Sequence, residues 1–259
     1  MTVSSQARPT EFVQSLERGL AVIRSFSRDR PALTLSEIAD LTGLTRAAAR
    51  RFLITLKDLG YVGSDGRLFS LRPRVLELGY SYLSSLPIWD MAKPHLEDLA
   101  DKVRETTSAS VLDGTDIVFV ARVETKRIMA MTLGVGSRLP AWATAMGRVL
   151  LADMRPADLD QYFAKVTLKP LSARTVTDEA ELRRIIEQAR SQGWTLVDQE
   201  VEEGVRSLAV PIRSTDGRAA AALTVCSHAF RVSVERVMDE FLPLVLETSK
   251  RITEEISAR

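Results

Sequence analysis

Two helix-start signals stand close together near the beginning of this sequence, and the short run between them restricts the fold more than any other feature. Thr34-Leu35-Ser36-Glu37 has the form of a capping box, a hydroxyl at the N-cap with Glu at the third helical position reaching back to the cap's own amide. Ile38, Ala39 and Leu41 give the helix that follows a short apolar face, and Thr42-Gly43-Leu44 stops it after about two turns. Thr45 then starts another helix, with Ala49, Phe52, Leu53, Leu56 and Leu59 on its buried side and Gly60 at its end. Two short helices joined by a tight turn containing Gly are the helix-turn-helix arrangement.

The flanking residues extend the pattern. Val13, Leu16, Leu20, Ile23 and Phe26 recur at spacings of three and four and predict a helix over roughly residues 11–26, with these side chains on its buried face. Downstream, Tyr61-Val62-Gly63 and Leu68-Phe69-Ser70-Leu71 flank Ser64-Asp65-Gly66-Arg67, the signal of a β-hairpin with an Asp-Gly turn. Helix, helix, turn, helix, hairpin is a winged helix-turn-helix, so residues 1–72 are expected to be a DNA-binding domain.

Its third helix carries the chemistry. Arg46 and Arg50 lie one turn apart on the exposed side, with Arg51 at the edge of the same sector, a turn beyond Ala47. Guanidinium groups bind guanine O6 and N7 with two bonds or clamp phosphates. The small Ala47 keeps the helix thin enough for a major groove about 12 Å wide and can meet thymine methyls. Thr34, Ser36 and the hairpin's Arg67 are the expected phosphate contacts, and Thr45 completes the DNA-facing set.

The charge distribution agrees with a polyanionic partner. Residues 1–86 hold 12 Lys and Arg, 11 of them Arg, against 8 Asp and Glu, whereas the remainder is net −3, so the overall +1 conceals an asymmetry. Composition otherwise excludes. With 45% apolar and 27% charged residues the chain is ordinary globular material, and no apolar run approaches the ~20 residues of a membrane span. The single cysteine, Cys226, rules out an internal disulfide, and with only His95 and His228 beside it a structural zinc site of the usual kind is excluded. The first residues lack the apolar stretch of a secretory signal, so a cytoplasmic protein without a membrane partner is expected.

Val75-Leu76, Leu78, Tyr82-Leu83 and Leu86 keep helical spacing, so residues 73–86 are expected to form a linker helix broken at Pro87. A stiff linker of this kind transmits rotation, as a Gly/Ser linker does not. An amphipathic helix should follow over Ile88–Arg104, and the rest of residues 87–259 then changes period. Strands are expected at Ala109–Leu112, Ile117–Val123, Ile128–Leu133, Trp194–Asp198, Ser207–Arg213 and Ala219–Ser227. Helices are expected near Thr144–Met154, Pro156–Val166, Asp178–Gln192 and from Ser233 to about Ser257. Strands paired through short turns, with segregated helices, make an α+β domain around an antiparallel sheet.

No catalytic constellation is visible in this second part. His95 and His228 fall on different elements, and Gly134-Val135-Gly136-Ser137 lacks the Gly-Lys-Ser/Thr ending of a P-loop. The acidic cluster Asp198, Glu200, Glu202 and Glu203 reads as a solvated loop, and Cys226 as a small buried side chain. A ligand pocket fits the pattern better. Strand alternation puts Thr224 and Cys226 on one face of their strand and Ser207 and Ala209 on one face of its partner. Trp142–Met146 leads into a helix whose first amides favour a carboxylate, and Trp142 is a candidate both for stacking on an aromatic ligand and for filling the core.

The sequence resembles the IclR-type bacterial transcriptional regulators along nearly its whole length. The resemblance runs through Ser15-Leu16-Glu17-Arg18-Gly19-Leu20, Leu35-Ser36-Glu37-Ile38-Ala39 and Gly43-Leu44-Thr45, then through the segment from Arg138 to Ala152 and Gly204-Val205-Arg206-Ser207-Leu208-Ala209-Val210-Pro211-Ile212. Thr45–Leu53, Asp113-Gly114, Asp116–Arg122 and Val135–Pro140 are similar to the branch that controls protocatechuate and related aromatic-acid catabolism through the β-ketoadipate pathway. Where that branch carries Ser before Met-Gly-Arg, this chain has Ala145.

The resemblance implies a GAF-like effector domain over residues 87–259, no cofactor, and effector contacts at Ala145, Met146, Ser207, Thr224 and Cys226, with Trp142 as a candidate neighbour. Some members use an acidic side chain at a position that is Val197 here. The expected function is a ligand-responsive regulator, not an enzyme, binding double-stranded operator DNA as a homodimer or as a tetramer built from two dimers. A small organic acid such as protocatechuate, 4-hydroxybenzoate or β-ketoadipate is the expected effector. The alternatives left open are a regulator responding to a different acid and a small-acid enzyme carrying an appended winged-helix module.

Overall fold

A computed structural model describes residues 11–84, 88–125 and 133–258, and the chain divides into two compact units, Met1–Tyr82 and Leu83–Arg259. In the first unit α1 (Gln14–Arg24) precedes a short strand β1 (Ala32–Thr34), α2 (Leu35–Thr42) and α3 (Arg46–Asp58). The hairpin β2 (Val62–Ser64) and β3 (Leu68–Leu71) follows, and β1 joins it in an antiparallel sheet of order β1-β3-β2. The Thr34 capping box forms with both of its bonds. Gly43 closes α2 in the left-handed conformation, at φ 66°, which makes the sharp turn into α3 possible without a Cβ penalty. A 3₁₀ turn (Pro73–Val75) leads into α4 (Leu76–Ser84), while the break expected at Pro87 lies outside the described residues.

One expectation for α1 is overturned. Val13, Leu16 and Leu20 are 60%, 63% and 42% exposed, and the side chains that enter the core with Ile38, Ala49 and Leu53 are Val22 and Phe26. The apolar spacing marked a face that benefits from cover, but this unit does not itself supply the cover. Leu76 and Tyr80 on α4 are exposed in the same way.

The second unit is a six-stranded antiparallel sheet of order β6-β5-β4-β9-β8-β7. Its strands are β4 (Thr106–Asp113), β5 (Asp116–Val123), β6 (Arg138–Pro140), β7 (Thr195–Asp198), β8 (Val205–Arg213) and β9 (Ala219–His228). One face packs on α5 (Ile88–Val103) and on the C-terminal helices through Leu96, Leu99, Phe241 and Val245. The other packs on α6 (Ala145–Ala152), α7 (Pro156–Phe163) and α8 (Glu179–Gln192) through Val149, Leu159, Leu182 and Ile186. The result is a three-layer α+β unit.

Several differences from expectation have local causes. β4 begins three residues early because Thr106, Thr107 and Ser108 are polar yet buried, the Thr107 hydroxyl donating to the Leu96 carbonyl at 2.9 Å. Of the strand expected over Ile128–Leu133, only Leu133 is among the described residues. The final helix divides into α9 (Val234–Arg236), a π-helical turn (Val237–Phe241) and α10 (Leu242–Ser257). Pro243 stands in the first turn of α10 and has no amide to offer the Asp239 carbonyl, so the backbone changes register there.

A further irregularity lies in β5. Ala109 pairs with Ala121 but Ser110 pairs with Phe119, so Val120 is an extra residue, a β-bulge. Paired residues share a face, and Phe119 and Arg122 therefore both point to the α6 side of the sheet, opposite Ser110 and Ser108.

Candidate nucleic-acid interface and ligand cavity

In the first unit, Ala49, Leu53 and Leu56 turn α3 toward the core and leave Arg46, Ala47, Arg50 and Arg51 exposed. At 3.6 residues per turn Arg46 and Arg50 are about 40° apart, and Arg51 lies about 100° beyond Arg50. None of the three, nor Arg67 at the hairpin tip, forms a salt bridge among the described residues. Asp65 accepts the Arg67 and Leu68 amides, which holds the tip and keeps the Asp65 carboxyl below its usual range. Thr34 and Thr45 serve as caps: Thr34 Oγ1 accepts from the Glu37 amide at 3.3 Å and donates to its carboxylate at 2.7 Å, and Thr45 Oγ1 accepts from Ala48 at 3.2 Å. Ser36 sits half-buried in the first turn of α2.

In the second unit a cavity opens between the sheet and the start of α6. Its floor carries Arg122, Ser108 and Thr224 in one row and Cys226, Ser207 and Val197 in the next. Thr144, Ala145, Met146 and Val201 line it from above, with Phe119, Leu133 and Leu139. It is a slot of about 540 Å³ measured out to its mouth.

Its polar groups differ in availability. The Thr224 hydroxyl donates to the Leu208 carbonyl at 2.7 Å and retains only acceptor capacity. Cys226 Sγ and Ser207 Oγ are 3.2 Å apart, and burial pushes the thiol up, so it is a neutral group there. Arg122 is the charged side chain in the lining. Only 9% exposed, it reaches Glu124 at 3.0 Å and Ser108 Oγ at 3.4 Å, and its guanidinium lies over the Phe119 ring. Glu124 is 62% exposed, so this buried cation has its counter-charge in water.

The start of α6 is held by a buried ion pair. Arg148, 1% exposed, donates two hydrogen bonds to the Glu200 carboxylate, at 2.8 and 2.6 Å, and a third to the Trp142 carbonyl at 2.9 Å. Glu200 also accepts the Val176 amide at 3.1 Å. Gly147 lets α6 lie against Ala141, because a Cβ there would stand 2.0 Å from the Ala141 carbonyl oxygen. Thr144 caps the helix through the Gly147 amide, and by position the amides of Ala145 and Met146 have no intrahelical acceptor.

Comparison with known proteins agrees with this architecture. Residues 15–66 match the IclR helix-turn-helix domain, and residues 80–254 match the bacterial transcriptional regulator IclR C-terminal domain. The chain belongs to the IclR family of transcriptional regulators. It is 44% identical over 247 residues to the Pca regulon regulatory protein of Pseudomonas putida, covering 95% of this chain and 85% of that one. It is 35% identical over 254 residues to the p-hydroxybenzoate hydroxylase transcriptional activator of Acinetobacter baylyi, covering 96% and 94%. Among solved structures, an IclR homolog from Microbacterium hydrocarbonoxydans complexed with 4-hydroxybenzoate superposes with a TM-score of 0.84 at 28% identity, covering 95% of this chain and all of that one (100%).

In this IclR regulator the fold brings Ala145, Met146, Ser207, Thr224 and Cys226 to one cavity. Trp142 does not join them. It is 3% exposed in the core, its amide donating to the Tyr162 hydroxyl at 3.0 Å. The acidic cluster is not a solvated loop throughout, since Glu200 is the partner of Arg148 and Asp198 binds Arg206 at 2.9 Å. Sequence reading missed Arg122 and Ser108, and only the bulge at Val120 reveals that Arg122 faces the cavity. No helix among the described residues is long and apolar enough to cross a membrane.

Proposed function

We propose that this regulator senses an aromatic or related organic acid and controls genes of aromatic-acid catabolism, as the names of its relatives suggest for those proteins. The observation that carries the reading is the buried Arg122 in an otherwise largely apolar slot. A flat acid places its ring between Phe119 and Met146 and its carboxylate against a guanidinium whose existing partner is solvent-exposed. The amides of Ala145 and Met146 form a second acceptor-binding pole. Thermal-shift and isothermal titrations with protocatechuate, 4-hydroxybenzoate and six-carbon dicarboxylates test it: saturable stabilisation by at least one is expected, and none by any would reject the reading. A non-enzymatic role is the better account of the cavity, because its thiol is neutral and hydrogen-bonded to a serine, and turnover of a bound acid would overturn it.

DNA binding through α3 predicts a base-specific loss. Arg46→Ala or Arg50→Ala should weaken binding to the cognate operator by about 1–3 kcal/mol, with a smaller loss on random DNA. Equal losses on both duplexes would assign these side chains to phosphates.

The uncovered face of α1 supports a homodimer. Val13, Leu16 and Leu20 form one apolar row on the side of the helix away from Val22 and Phe26, and a second copy offers the same row for isologous cover. Two DNA heads also supply the contacts that one winged module lacks. Leu16→Glu with Leu20→Glu is expected to sediment as a monomer, and an unchanged dimer would place the interface elsewhere. Tetramers as paired dimers and a cytoplasmic location belong to the same proposal.

A further inference from the structure

We propose that the cleft between α1 and α3 is a clamp for a backbone phosphate of duplex DNA, with Arg18 and Arg51 as its two cationic jaws. The proposal rests on the reading of α3 as the helix that enters the major groove, and it brings α1 into the interface. Gln14, Ser15 and Arg18 of α1 face Ala48, Arg51, Phe52 and Thr55 of α3 across an open cleft of about 770 Å³ out to its mouth. The two helices approach each other at Gly19 and Phe52, where a Cβ on the glycine would already be in contact with the ring at 3.8 Å.

The chemistry of the lining is one-sided. It contains two guanidiniums, an amide and two hydroxyls, and no carboxylate. The Thr55 hydroxyl is used internally, donating to the Arg51 carbonyl at 3.0 Å. Neither Arg18 nor Arg51 has a side-chain hydrogen bond or salt bridge among the described residues. The effector unit contrasts with this: Arg138, Arg148, Arg183, Arg206 and Arg231 all hold carboxylates. Two converging and uncompensated cations repel each other, and an anion between them removes that cost.

Helix geometry decides which anion. Arg51 lies about 100° around α3 from Arg50, on the α1 side, whereas Arg46 and Arg50 share the other edge. A helix with side chains is roughly 10–12 Å across and the major groove about 12 Å wide, so α3 fills the groove and α1 beside it must meet the rim. The rim is sugar and phosphate. Arg18 therefore reaches a phosphate and not a base, and Arg51 turns toward the same group.

Fluorescence anisotropy with a random-sequence 30-base-pair duplex, across a series of KCl concentrations, tests the clamp on the full chain. Arg18→Met should weaken binding roughly 3–10-fold, equally on random DNA and on a duplex selected by the protein, and make the salt slope shallower by about 0.9. Arg51→Met should behave alike, and the double variant should lose less than the product of the singles because both side chains serve one phosphate. Arg18→Lys should keep most of the affinity. The clamp is overturned if Arg18→Met leaves affinity and slope unchanged, if its loss is confined to the selected duplex, or if Arg18→Lys is as weak as Arg18→Met. Failure of the wild-type chain to bind any duplex would instead reject the reading of α3, and the clamp with it.

Discussion

Arg148→Met is expected to lower the stability of the effector unit by about 3–5 kcal/mol, the usual consequence of removing one partner from a buried ion pair. The side chain is 1% exposed and makes three hydrogen bonds, two to Glu200 and one to the Trp142 carbonyl. Methionine keeps most of the volume but leaves the Glu200 carboxylate inside the protein with the Val176 amide as its remaining side-chain contact among the described residues. The penalty is thus the stranded charge more than the lost attraction. In a unit of this size the thermal transition should fall by about 10 °C. Adding Glu200→Leu should restore part of the loss, because the stranded charge is then gone. A single variant destabilised by less than about 1 kcal/mol would show that water reaches the pair. Val201, next to Glu200, and Met146, two residues before Arg148, both line the cavity, so Arg148→Met should also weaken effector binding.

Arg122→Met should reduce affinity for the acidic effector by about 2–4 kcal/mol, roughly 30-fold to 1000-fold, while leaving effector-free operator binding unchanged. The guanidinium is largely desolvated, so a carboxylate meeting it gains a strong charge-assisted bond. The fold should tolerate the change, because the natural counter-charge, Glu124, is exposed and rehydrates. Arg122→Lys should recover only part of the affinity, since an ammonium lacks the planar fork. Replacing the acid by its neutral amide provides an independent measurement: the amide should bind the wild-type chain about as poorly as the acid binds Arg122→Met. Equal affinity of the acid for wild type and Arg122→Met would move the carboxylate to the amides of Ala145 and Met146.

Local signals made much of the first unit legible. The Thr34 cap, the Gly43 turn and the Asp65-Gly66 hairpin each need only a few neighbouring residues to act, and each formed as read. What periodicity did not supply was the identity of the surface on which an apolar face rests, hence the error over Val13, Leu16 and Leu20. In the second unit Ser207, Thr224 and Cys226 were visible because β8 and β9 alternate regularly between them. Arg122 was not, since strict alternation from Phe119 would turn it to the opposite face. The Arg148–Glu200 pair joins residues 52 positions apart, and nothing in either neighbourhood announces the other. The strands β1 and β6 have three residues each and exist only through partners distant in sequence.

The irregularity at Val120 has a consequence for how such sensors diversify. Whether a positive group looks into the slot depends on whether the backbone carries Val120 as an extra, unpaired residue between Phe119 and Arg122, not on which residues stand there. Pairing Phe119, Val120, Ala121 and Arg122 in strict alternation, without the bulge, would rotate the cation out and an alanine in, turning a detector of anions into a detector of uncharged molecules while the remaining wall stayed as it was.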